Sequence, residues 1–213
     1  MLAAVILSAG QSSRMGTPKA LAEFRGKTFL ARILEATRQP EIAAARVVLG
    51  ADHAKLRRAL ALPADVVVVN RNWQRGQLSS IQAALRALTA DRVASESIDG
   101  ILLWPVDVPL VSSALVGALI AVFYASRRLV VVPAFHGRRG HPVIFASSLF
   151  PELLAAPADQ GARAVVWAHS SELAEVPTEE EGVVLNLNDP ETLRRAESDA
   201  PKKSSQSPED STQ

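Results

Sequence analysis

At 213 residues, with 48% hydrophobic and 21% charged side chains, the chain has the length and composition of one globular domain with its own core. A net charge of +1 implies no general attraction to nucleic acid or to an anionic membrane. With no cysteine, disulfides, thiolate catalysis and cysteine-ligated zinc or iron–sulfur sites are excluded, which fits a cytoplasmic protein. The apolar start, Met1 to Leu7, is too short for a signal peptide and lacks a basic flank. No run approaches the roughly 18 apolar residues of a membrane span.

Strands are expected at residues 4–7, 46–49, 66–69, 101–104 and 130–132, with shorter ones near 143–145, 173–176 and 183–185. Several carry Val, Ile and Leu at consecutive positions, the mark of strands buried on both faces of a mostly parallel sheet. Segments 28–38, 51–61, 78–89 and 112–125 carry apolar residues at helical spacing. Alternating strand and helix predicts a doubly wound α/β fold, three layers deep, with ligands at the carboxyl ends of the strands. The domain is expected to span residues 1–196. From Glu197 onward the composition turns to Ser, Asp, Lys, Pro and Gln, which predicts a disordered tail over 197–213.

The first strand runs into Ser8-Ala9-Gly10-Gln11-Ser12-Ser13-Arg14-Met15-Gly16-Thr17-Pro18-Lys19. Small residues let backbone N–H groups approach phosphate oxygens, and Arg14 and Lys19 supply neutralising charge. The loop therefore reads as a polyphosphate cradle. It is neither a Walker A sequence nor the three-glycine dinucleotide fingerprint. Asn70 to Ile81 lead from the third strand into a helix, and Ser79 and Ser80 are placed either to read a base or ribose or to cap that helix.

Trp104-Pro105-Val106-Asp107-Val108-Pro109 places one carboxylate in a restricted backbone at the end of a buried strand. A hard oxygen there suits Mg²⁺; the alternative is a helix cap. Asn186-Leu187-Asn188-Asp189-Pro190 ends a strand and starts a helix. Asp189 reads as the N-cap, leaving the Asn188 amide oxygen to a metal or to the turn itself. The loop His136-Gly137-Arg138-Arg139-Gly140-His141-Pro142 is basic and suits either an anionic second substrate or a surface hairpin. His141 is read as orienting substrate or structure rather than as a base, and Arg163 offers a phosphate contact. No Ser-His-Asp arrangement or metal-binding histidine cluster emerges.

Taken together and in this order, these motifs are similar to those of the molybdenum-cofactor nucleotidyltransferase family. The resemblance implies a Rossmann-like nucleotidyltransferase fold. It also implies transfer of a nucleoside monophosphate from CTP or GTP to the phosphate of the pterin cofactor, with release of pyrophosphate. It assigns the nucleotide to Leu7, Ser8, Ala9, Gly10 and Gly16, with Arg14, Lys19 and Asp107 as the catalytic groups. Asp107 would hold Mg²⁺, with Asn188 as the second metal-side residue. Gly76-Gln77-Leu78-Ser79-Ser80, Arg139-Gly140-His141-Pro142-Val143 and Gly161-Ala162-Arg163 resemble the cytidylyl branch, as does Pro18 before Lys19. Through those motifs Ser79, Ser80, Arg139 and His141 join the expected substrate contacts. Two departures stand out: Val108 where that branch usually has Gln, and Asn188 where it often has Asp. The implied partners are an NTP, a phosphorylated small acceptor and a recipient molybdoenzyme. Two further readings stay open: a sugar- or alditol-phosphate nucleotidyltransferase, and a non-catalytic chaperone that inserts a cofactor using the Arg138-Arg139 loop.

Overall fold

The computed structural model describes residues 1–12, 14–90 and 98–199. In chain order the strands are β1 (Leu2–Ser8), β2 (Glu23–Phe24), β3 (Lys27–Thr28), β4 (Ile42–Leu49) and β5 (Val67–Val69), then β6 (Gly100–Pro105), β7 (Val130–Phe135), β8 (Arg138–Arg139), β9 (Val143–Ala146) and β10 (Leu173–Pro177). The helices are α1 (Phe29–Ala36), α2 (His53–Ala59), α3 (Gln77–Thr89), α4 (Ser113–Ser126), α5 (Phe150–Ala155), α6 (Arg163–Ala168) and α7 (Pro190–Asp199).

The main sheet runs β10-β7-β9-β6-β1-β4-β5, with β8 on β7. Pairings β1–β4, β1–β6, β4–β5 and β7–β10 are parallel. Strand β9, inserted between β6 and β7, is antiparallel to both. Along β1 the side chains alternate between two cores. Leu2, Ala4 and Ile6 join α1 and α4 on one face; Ala3, Val5 and Leu7 join α3 and α5 on the other. Three layers result, as the continuous apolar strands predict. Sequence cues also set helix starts: Thr28 accepts from Ala31 N–H at 3.2 Å, and Ser112 accepts from Leu115 N–H at 3.1 Å. Among the described residues, no helix is long and apolar enough to cross a membrane.

Two expectations change. Residues 183–185 form no strand; a 3-10 turn at Glu181–Val183 leads into irregular chain instead. The carbonyl of Val183 is engaged by His141 N–H, and Val184 N–H bonds back to Glu181, so these groups serve loops rather than a ladder. At the C-terminus, α7 runs through Glu197 to Asp199, past the compositional break. Arg25 reaches this last turn, donating to Glu197. Residues 200–213 of the tail expected over 197–213 lie outside the described residues, as does Ser13.

The order of the sheet fixes where a ligand goes. From β1 the chain proceeds to β4 on one side and later returns to β6 on the other, so the loops after β1 and β6 part at a topological switch point. Loop 9–18 follows β1 and loop 106–112 follows β6. Val106 N–H donates to Leu7 C=O at 3.0 Å, which holds the second loop against the root of the first.

Candidate active site

Four loops meet above the carboxyl edge of β5, β4, β1 and β6. In the first, the Ser12 hydroxyl accepts from Lys19 N–H at 3.0 Å, and Ser12 C=O accepts from Met15 N–H at 3.0 Å. Met15 is buried in the core and anchors the loop from below. Gly16, at φ +70°, takes a left-handed turn that suits glycine. Lys19 emerges from this knot with a fixed backbone and a free stem.

Its ammonium is the centre of the arrangement. Lys19 Nζ donates to Asp107 Oδ2 at 2.9 Å and to Asn188 Oδ1 at 2.5 Å. Three residues far apart in sequence are thus drawn to one point. The pair is mostly shielded from solvent, with side-chain exposures of 19% for Lys19 and 23% for Asp107. A backbone bond fixes the two acceptors relative to each other: Leu187 N–H donates to Asp107 C=O at 2.8 Å. Close packing completes the join. A Cβ on Gly182 would lie 1.8 Å from Leu110 O, so only glycine lets the two loops lie this close. Asp189 caps α7, accepting from Thr192 N–H at 2.9 Å. Thr192, first through this N–H and then its hydroxyl, holds the Asp189 carboxyl below its usual range, with Arg14 adding a smaller pull. Arg14 is exposed on the loop, on the side of this turn.

A cleft of about 350 Å³ opens beside the lysine. Of the expected contacts, Leu7, Ser8, Ala9, Gly10, Lys19, Ser80 and Asp107 line it. Gly16, Arg14, Ser79, Arg139, His141 and Asn188 do not. Ser79 is occupied within its turn: its hydroxyl accepts from Asn70 Nδ2 at 2.8 Å and donates to Gly76 C=O at 2.7 Å or to Asn72 C=O at 3.0 Å. Asn70 is buried and also donates to the Ser80 hydroxyl at 2.9 Å, so one amide braces the wall of the cleft. Neither serine caps α3 in the ordinary way; its N-cap is Gly76, without a side-chain bond.

Sequence reasoning missed Trp73 and Gln74, which also line the cleft. The signal was Gly50 at the end of β4. A Cβ there would lie 2.5 Å from Ala9 O and 2.6 Å from Trp73 Cβ, so glycine admits the indole beside the phosphate loop.

Arg139 sits on the edge ribbon, its Nε donating to Glu175 Oε1 at 2.7 Å across to β10. His141 lies closer to the site. Burial pushes its imidazole down to about 4; the Asp107 charge opposes this and the Arg163 charge adds to it. It is therefore neutral at pH 7, and its Nδ1 is buried with no hydrogen-bond partner among the described residues. The His141 backbone N–H donates to Val183 C=O at 2.8 Å. Arg163 is exposed at the start of α6.

Among the described residues, no three His, Asp or Glu side chains converge as a metal cluster. The Asp107–Asn188 pair nevertheless fits a hard cation. Two oxygens already converge on one positive charge, and Mg²⁺ needs only one or two carboxylates when phosphates and water complete its shell.

Residues 4–173 match the model of the MobA-like NTP transferase domain. The chain belongs to this family. It is 32% identical over 207 residues to a molybdenum cofactor guanylyltransferase of Rhizobium meliloti (strain 1021), covering 91% of this chain and 89% of that protein. It is also similar to the crystal structure of Rv0371c from Mycobacterium tuberculosis H37Rv, at 29% identity and a TM-score of 0.77 over 91% of this chain and 95% of that one. A second structure of Rv0371c, in complex with manganese, aligns at 26% identity and a TM-score of 0.74 over 93% and 99% of the two chains. The resemblance read from the loops is thus shown at family level: the chain is a nucleotidyltransferase of the MobA-like family, on a mixed α/β fold with a mostly parallel sheet.

Proposed function

We propose that this family member transfers CMP from CTP to the phosphate of molybdopterin, releasing pyrophosphate. The observation that carries the reading is the meeting of Lys19, Asp107 and Asn188 beside a cleft floored by the loop after β1. The cytidylyl choice rests on the Gly76-to-Ser80 segment and on Pro18 before Lys19. The guanylyltransferase named above is the observation that favours GTP as the second reading.

The chemistry follows from charge. Backbone groups of Ser8 to Gly10 cradle the triphosphate, and the base lies toward Trp73 and Gln74. Lys19 and Arg14 carry the negative charge that spreads over the α-phosphoryl and the departing pyrophosphate. Asp107 and Asn188 would hold the divalent cation, which supplies Lewis-acid stabilisation and orients the phosphates. The acceptor phosphate approaches from the flank of Asp107 that carries His141 and Arg163, outside the nucleotide cleft. Its oxygen bonds to the α-phosphorus, and the bond from that phosphorus to the bridging β-oxygen breaks. A phosphate is already ionised at pH 7, so the step needs no protein base, in keeping with a buried His141 whose lowered basicity makes it a poor proton acceptor.

The test is product mass after incubation with molybdopterin, Mg²⁺ and equimolar CTP and GTP. The expected product carries CMP; a GMP adduct would move the specificity to the second reading. No pterin adduct, together with an adduct on a sugar or alditol phosphate, would overturn the acceptor.

A further inference from the structure

Lys19 faces two demands on one ammonium. Its Nζ bonds both Asp107 Oδ2 and Asn188 Oδ1, while the same side chain lines the cleft assigned to the triphosphate. A divalent cation would draw on the same two oxygens. Two cations within a few ångströms in a partly shielded site repel strongly, because the surroundings screen them less than bulk water does. They cannot share the notch at full strength.

The lysine can move without disturbing the loop. Its backbone N–H is fixed by Ser12 Oγ at 3.0 Å, so displacement falls on the four-carbon stem. The cleft beside it is lined by Ser8, Ala9 and Gly10, where phosphate oxygens would offer the ammonium new partners.

We propose that Lys19 is a resident counter-cation: it holds the Asp107–Asn188 oxygens until a nucleotide's phosphates draw it away, so that nucleotide and divalent cation bind as a coupled pair. The inference rests on the metal and nucleotide assignments above. It gives Lys19 a second role, in gating the cation position, besides charge stabilisation. Metal alone must displace an ammonium and binds weakly. Nucleotide removes that competitor, and by reciprocity metal favours nucleotide.

The test needs no turnover. Mn²⁺ binding is measured by the loss of free-ion EPR signal, without nucleotide, for the wild-type protein, Lys19→Ala and Lys19→Gln. Both variants are expected to bind Mn²⁺ more tightly than wild type, by a factor within the roughly 5- to 150-fold span usual for coupled sites. Lys19→Gln keeps most of the length without the charge, and guards against a packing defect in Lys19→Ala. Addition of CTP should tighten Mn²⁺ binding more in wild type than in either variant. Variants that melt like wild type yet bind Mn²⁺ no better would overturn the proposal. Adding Asp107→Asn to Lys19→Ala should abolish the gain; a gain that persists would show that the ion sits elsewhere, and would overturn it too. A gain in affinity in a protein that turns over neither CTP nor GTP would sink the transferase reading while leaving the competition standing.

Discussion

Asp107 binds a cation through its side chain and an amide through its carbonyl. The two links differ in what they hold: the carbonyl bond to Leu187 joins loops, while the carboxylate addresses chemistry. Asp107→Ala keeps the first and removes the second. We therefore expect a folded protein whose kcat/KM falls by at least about a hundredfold, the scale of losing one preorganised electrostatic contact to a transition state. Circular dichroism and initial rates with saturating Mg²⁺ check it. Near-normal turnover would refute the assignment. The residues readable from sequence at this scale were those whose chemistry is carried by type and position: Lys19, Asp107 and the small residues of the first loop. Asn188 was legible from its turn as an amide oxygen for a metal or for the turn itself, and the family resemblance chose the metal. Asn70 and Trp73 were not legible at all, because their roles depend on what packs against them: two serine hydroxyls in one case, and a glycine twenty-three positions earlier in the other.

Elements were legible where periodicity is strong. Strands β1, β6 and β7 sit where their apolar runs predicted, and α3 and α4 appear within a residue or two of the expected bounds. The segment after Glu181 misled, because three consecutive apolar residues carry no information about whether a neighbouring strand exists to pair with. What the segment does instead is join loops. Gly182 rests against Leu110, and Leu187 pairs with Asp107, so this stretch sets the distance from Asn188 to the carboxylate. Gly182→Ala puts a methyl 1.8 Å from a backbone oxygen and must part the two loops. We expect a loss of about 1–3 kcal/mol of stability, as for other overpacked sites, and a several-fold rise in the Mg²⁺ concentration needed for half-maximal rate. Denaturant titration and metal-activation curves measure the two effects separately. A stability loss with an unchanged metal requirement would confine Gly182 to folding.

For the whole molecule, the mostly parallel sheet with its switch point between β1 and β6 gathers these loops at one edge, and the fold class was readable from alternation alone. Its pH response has a specific source in His141. The unfolded imidazole protonates near its ordinary value of 6.5, whereas the native one stays neutral down to about 4. In that window the unfolded chain binds more protons, so stability falls as pH drops from about 6.5 to about 4, by up to ~3 kcal/mol from this group. Above 6.5 the term is constant. Urea titrations at pH 7 and pH 5 should show a smaller stability difference for His141→Asn than for the wild type; equal differences would mean that the native imidazole titrates normally.

The most direct measurement is Mg²⁺-dependent pyrophosphate release from CTP and from GTP, with and without molybdopterin. The account predicts release that requires the pterin, is fastest with CTP and is lost in Asp107→Ala. Pyrophosphate release that is indifferent to every phosphorylated acceptor, or that survives the loss of Asp107, would contradict it.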